Sequence, residues 1–142
     1  MSYLLDTNVL SEFQKPRPDE GALDRLRRLE EDELYISVVS IGEIRRGVAL
    51  LAPGRRKSTL EHWLSFELLP RFEERTLDVT PHIAQAWGET MAEAKRLGVA
   101  ISTLDAYLAA TAQVHSLTLV TRNTKDFKAF NQKLLDPWQP AR

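Results

Sequence analysis

Four carboxylates stand where short apolar runs give way to helical ones: Asp6 in LLDTNVL, Glu43 in SVVSIGEIRRGV, Asp105 in STLDAYLAA and Asp126 in RNTKDF. Each has an ordinary reading. Asp6 suits the cap of the helix that follows, a contribution of about 1 kcal/mol. Ser40 with Glu43 and Ser102 with Asp105 match the capping-box spacing, and an acid is favoured at the positive end of a helix dipole. Asp126 reads as a solvated turn residue.

The reading changes when the acids are taken together. If the strands before them run parallel, their carboxyl ends share one edge of the sheet, and Asp6, Glu43 and Asp105 all point there. Carboxylates crowded at one edge repel each other unless protons or a cation neutralise them, and a hard divalent ion does so through oxygen ligands. The constellation predicts Mg2+ or Mn2+. Metal-assisted phosphodiester hydrolysis is the natural chemistry, because a bound divalent ion lowers the pKa of water and stabilises charge on a phosphoryl oxygen.

Thr7 and Asn8 open the helix beside Asp6 and would orient the carboxylate or a water. Ordinary helix-start chemistry explains them equally well. Arg122 and Lys125 are cations at the same edge, and Arg122 is a candidate phosphate contact as well as a plain surface charge. His62, His82 and His115 have no ligand spacing, and Arg55 to Lys57 reads as a solvated basic loop.

The elements that must position these residues follow from hydrophobic period. Strands are expected at Tyr3–Asp6, Leu34–Val39, Arg75–Val79, in LTLVT and near LLDPW. Between them lie helical segments: one from about Asn8, one carrying Leu23, Leu26 and Leu29, one with Ile41, Ile44, Val48 and Leu51 inward, and one with Leu60, Trp63, Leu64 and Leu68. Pro81 opens a long helix with Ile83, Trp87, Met91 and Ala94 inside, ended by Gly98. Ser102 to His115 is helical again, with Leu104, Leu108 and Ala112 inward. A helix after every strand implies an α/β fold with a mainly parallel central sheet covered by helices on both faces. Ligand sites in such sheets lie outside the carboxyl ends of the strands, where strand order reverses.

Composition narrows the rest. With 142 residues, 43% hydrophobic and 27% charged, one globular domain over residues 1–142 is expected. A net charge of -1 excludes a global cationic field, so any polyanion must be gripped locally. The absence of cysteine removes disulfides, thiolate metal sites and thiol nucleophiles. No leader or membrane-spanning run stands out, and a cytoplasmic protein with no membrane partner is expected.

The combination of LLDTNVLSE at Leu4–Glu12, SVVSIGEIRRGV at Ser37–Val48, LDAYLAATAQVHSLTLVTRN at Leu104–Asn123 and DPW at Asp136–Trp138 resembles the PIN-domain ribonucleases. Within them it is most similar to VapC-like toxins of type II toxin-antitoxin systems, in the FitB-like branch. The resemblance spans the chain and implies a PIN-like fold and a Mg2+- or Mn2+-dependent endoribonuclease acting on RNA. It also implies a homodimer and inhibition by a small cognate antitoxin of the VapB or FitA kind, with operator DNA bound only through the antitoxin. Asp6, Glu43 and Asp105 carry over as the acidic metal-binding triad, with Thr7 or Asn8 as a polar helper. Many relatives have a fourth acid where this chain has Asn123, so either Asn123 or Asp126 completes the site.

Two other classes compete. A phosphoacceptor receiver domain also gathers acids at strand ends, but it expects paired acids near the first strand, and Asp6 has no acidic neighbour there. A catalytically silent PIN-type binding module would use the same acids only as caps.

Overall fold

The computed structural model describes residues 1–140. The alternation of side chains along each strand divides the interior in two. In β1 (Tyr3–Leu5), Leu4 points to one face and Leu5 to the other. Leu34 and Ile36 of β2 (Leu34–Ser37) and Val120 of β4 (Thr118–Val120) join the Leu5 side, whereas Leu119 joins Leu4.

The Leu5 face is covered by α1 (Thr7–Glu12), α2 (Glu20–Arg27) and α3 (Val38–Ala49), through Val9, Leu10, Leu23, Leu26, Ile44 and Val48. Helix α4 (Arg55–Trp63) runs through a π-helical turn, Leu64–Leu68, into α5 (Leu69–Arg71), adding Leu64, Leu68 and Phe72 to the same core. The opposite face is covered by α7 (Thr103–Val114) through Leu108, Ala109 and Ala112, with α6 (Pro81–Leu97) packed against α7. Helices therefore do lie on both faces.

All strand pairs are parallel, in the order β3-β2-β1-β4-β5, with β3 at Thr76–Leu77 and β5 at Leu134–Leu135. The chain works outward from β1 to β3, then returns to the other side of β1 for β4. Strand order reverses between β1 and β4. The register there is Tyr3 with Thr118, Leu4 with Leu119 and Leu5 with Val120, so Asp6 and Thr121 leave the sheet side by side.

Several boundaries differ from the expectation. β2 stops at Ser37 rather than Val39, because Ser37 accepts the N–H of Val39 at 3.0 Å and starts α3 at once. β3 is only two residues long, since a 3-10 turn occupies Glu73–Arg75 and Asp78 and Val79 lie outside the pairing. β4 and β5 are joined by two 3-10 turns, Thr124–Asp126 and Lys128–Phe130, and not by a helix. Leu104 is exposed, as the helix turns Leu108 and Ala112 inward instead. Trp87 and Met91 are half-buried on α6, where Ile83 and Ala94 are the buried positions.

Proline and glycine punctuate α6 as expected. Thr80 caps it by accepting the N–H of Ile83 at 3.2 Å, Pro81 occupies its first turn, and Gly98 ends it in the left-handed conformation at φ 69°. The loop after α1 is tied down by Glu12, a buried carboxylate that accepts the N–H of Asp19 at 2.7 Å and pairs with Lys15 at 3.0 Å.

Candidate active site

Asp6 sits directly after β1 as the N-cap of α1. One oxygen, Oδ1, accepts the N–H of Thr7 at 2.6 Å, so the capping role is realised. The other, Oδ2, accepts the Thr121 hydroxyl at 2.8 Å, with Asn8 Nδ2 at 3.4 Å. Capping occupies only part of this buried carboxylate.

Glu43 does not form the capping box with Ser40. Ser37 is the cap of α3, and Ser40 is buried within the first turn. Glu43, half-buried in the second turn of the helix, instead accepts the Thr7 hydroxyl at 2.8 Å. Thr7 thus links the start of α1 to α3 through its side chain, while its N–H holds Asp6.

Asp105 does take part in half of a capping box, its N–H donating to the Ser102 hydroxyl at 3.1 Å at the start of α7. Asp126 closes the 3-10 turn after β4, its N–H donating to the Asn123 carbonyl at 3.0 Å, and it too is half-buried. The Asn123 side chain is exposed, while its N–H donates to Thr121 Oγ1 at 3.0 Å.

The charges of these groups reach one another. Burial pushes the Asp6 carboxyl above its ordinary value, and the charges of Glu43 and Asp126 push the same way against hydrogen bonds from Thr121 and Thr7. Asp105 is raised by burial and then by Asp6, with Asp126 adding to it and the Ser102 hydroxyl opposing. No lysine or arginine charge is among the groups that pull either carboxyl back down. The structure therefore brings the four acids to one edge with no cationic side chain to neutralise Asp6 or Asp105.

Among the described residues no three acids or histidines are close enough to enclose an ion by themselves. The donor set is nevertheless entirely hard oxygen. It fits Mg2+ or Mn2+ held through one or two carboxylates with water completing the shell. The histidines stand apart: the His62 ring lies 4.8 Å from that of Phe66, tilted by 38°, and His82 and His115 are exposed.

The family model described as "PIN domain" matches residues 3–133. The chain belongs to the PIN-domain family. It is 39% identical over 135 residues to the toxin FitB of Neisseria gonorrhoeae, covering 95% of this chain and 97% of FitB. To the VapC ribonuclease Y4jK of Sinorhizobium fredii it is 35% identical over 138 residues, with 97% and 99% of the two chains covered. Its backbone is similar to that in the structure of FitAB bound to an IR36 DNA fragment, with a TM-score of 0.92, 36% identity, and 99% and 98% of the two chains covered.

The strand order of this PIN domain also removes the receiver alternative, whose sheet runs in the order 2-1-3-4-5. The residue that sequence reading missed is Thr121. Its only signal was a polar β-branched residue at the end of LTLVT, indistinguishable from an ordinary strand former until the β1–β4 register sets it beside Asp6. Trp138, the last residue of the DPW stretch, has a role that its sequence does not reveal. In the PIN fold it carries the guanidinium of Arg122, 5.2 Å above its ring centre, while the Arg122 N–H donates to Asn8 Oδ1 at 3.3 Å. Lys125 is exposed on the neighbouring turn.

Proposed function

We propose that this PIN domain, one unit over residues 1–142, is the toxin of a type II toxin-antitoxin pair: a Mg2+- or Mn2+-dependent endoribonuclease that hydrolyses RNA phosphodiester bonds. The observation that carries the reading is the meeting of Asp6, Glu43, Asp105 and Asp126 at the carboxyl edge of the sheet, where burial raises Asp6 and Asp105, the charges of Glu43 and Asp126 add to Asp6, those of Asp6 and Asp126 add to Asp105, and no cation opposes. The toxin name of FitB and the ribonuclease name of Y4jK support it.

Asp6, Glu43 and Asp105 would hold the ion, and Asp126 or Asn123 would complete its surroundings. Bound there, it would supply charge stabilisation to a phosphoryl oxygen and a more acidic water. The chain's own part is orientation. Thr121 and the Thr7 N–H fix the two oxygens of Asp6, and the Thr7 hydroxyl fixes one of Glu43, so the carboxylates are positioned before substrate arrives.

The proposed antitoxin would cover this edge with a cationic or apolar tail. A groove of about 230 Å3 beside the acids supports that arrangement, bounded by Thr7, Glu43, Ile44, Val48, Arg56 and Trp63. A homodimer of the PIN domain, with operator DNA reached only through the antitoxin, completes the assembly.

The test is purified protein on single-stranded RNA. Cleavage should require Mg2+ or Mn2+, stop with EDTA, and be suppressed by the co-expressed antitoxin, while expression of the protein alone should arrest growth. Intact RNA at every metal concentration, together with normal growth at high soluble expression, would favour the silent binding module.

A further inference from the structure

Arg122 leaves the sheet one residue after Thr121, the partner of Asp6, and its own N–H is pinned to Asn8 at the start of α1. A flexible cation at the strand end next to Asp6 would be expected to pair with an acid. Arg122 does not. Among the described residues it forms no ion pair, and its guanidinium lies over the indole of Trp138.

The platform is built with some care. The Leu135 carbonyl accepts the N–H of Thr121 at 3.0 Å, which anchors the start of the Asp136–Trp138 turn to β4. Asp136 Oδ1 accepts the N–H of Trp138 at 2.9 Å, and Arg25 Nη1 donates to the carbonyl of Pro137 at 2.6 Å. The ring itself packs against the Leu5 core. A guanidinium over an aromatic face keeps its charge and leaves N–H donors for a partner, and its planar fork matches a phosphate in bidentate fashion.

We propose that Arg122 is the seat for a phosphate of the RNA strand adjacent to the one cleaved, and that Trp138 is the positioning residue that holds Arg122 off the acidic edge and ready for it. This rests on the ribonuclease reading. It also answers a need set by composition: with a net charge of -1 and an acidic reaction edge, the chain must grip a polyanion locally.

Two measurements test it. Binding of a fluorescent single-stranded RNA is followed by anisotropy across a salt series in an Asp6→Asn background, and cleavage kinetics are followed with Mn2+ in otherwise unaltered protein. Arg122→Gln should make the log-log salt slope shallower by about 0.7, the value for one lost phosphate contact on a single strand. In cleavage it should raise KM about tenfold, equivalent to about 1.4 kcal/mol, and leave kcat near its original value. Trp138→Leu should reproduce the KM increase with Arg122 intact, and Trp138→Phe, which keeps a ring, should restore most of the affinity.

If the unaltered protein cleaves RNA and Arg122→Gln leaves both slope and KM unchanged, the phosphate seat is wrong and the ribonuclease reading survives. If Trp138→Leu and Trp138→Phe lower melting temperature alone, Trp138 is only structural. An Arg122→Gln protein that loses antitoxin affinity and keeps RNA affinity assigns the guanidinium to the partner instead. Failure of the unaltered protein to bind or cleave RNA removes both readings together.

Discussion

The hydroxyl of Thr121 donates to Oδ2 of Asp6 at 2.8 Å, joining two strand ends that are 115 residues apart in sequence. Thr121 Oγ1 in turn accepts the N–H of Asn123, so one side chain fixes both a buried acid and the loop that carries Asp126. Thr121→Val keeps the shape and removes both bonds. It should cost about 1–3 kcal/mol, the penalty for leaving buried polar partners unpaired. Because the Thr121 bond lowers the Asp6 pKa, NMR titration of the metal-free variant should find Asp6 raised further. Thr121→Ser should restore both properties, and an unchanged Asp6 titration in Thr121→Val would dismiss the role.

Asp6→Asn and Asp105→Asn should each abolish RNA cleavage and leave the fold intact, since asparagine keeps the shape and the capping oxygen but not the charge. Their stability gives a signed check. Asp6 and Asp105 are raised above the ordinary value of 3.8, so the folded protein holds protons that the unfolded chain has released. Stability of the metal-free protein therefore falls as pH rises from the unfolded pKa through the folded one, and stays lower above it. At pH 7 the asparagine variants should melt above the unaltered protein, and the gap should close on acidification below the unfolded value. A gap of the opposite sign at pH 7 would mean that the carboxylates act chiefly as caps.

Metal binding should be visible without turnover. Mn2+ or Mg2+ that binds only the folded state raises stability by RT ln(1 + [L]/Kd), about 2.7 kcal/mol at a hundredfold excess over Kd. The melting temperature of the unaltered protein should climb with added Mn2+, and EDTA should reverse the rise. Asp6→Asn should lose most of it. An unaltered protein whose melting ignores both ions across the millimolar range would argue against a site at this edge.

Asn123 and Asp126 can be separated by the metal requirement. The Asp126 charge bears on both Asp6 and Asp105, whereas the Asn123 side chain is exposed. Asp126→Ala should raise the Mn2+ concentration needed for half-maximal cleavage sharply, Asn123→Ala should change it little, and Asn123→Asp should partly rescue Asp126→Ala. Ordinary metal dependence in Asp126→Ala would pass the fourth position to Asn123 or leave three acids.

Local chemistry was enough to reveal much of this protein. The period of the apolar residues marks the alternation of strands and helices, because side chains repeat every two residues in one and every 3.6 in the other. Pro81 and Gly98 bound α6 through constraints that act within a single turn. Asp6 and Asp126 are legible because each follows a strand end, and parallel strands share one carboxyl edge; Glu43 inside α3 and Asp105 in the first turn of α7 reach that edge only through the packing of their helices. Which neighbours those acids meet is a different matter. Ser37 and Ser40 are both eligible caps, and the choice falls on Ser37 because β2 ends there, which frees Glu43 for Thr7. The pairing of Asp6 with Thr121 depends on β4 returning to the far side of β1 in one particular register, and the seating of Arg122 on Trp138 depends on β5 pairing next to β4. Those relationships are decided by packing between distant segments, and no local period or cap encodes them.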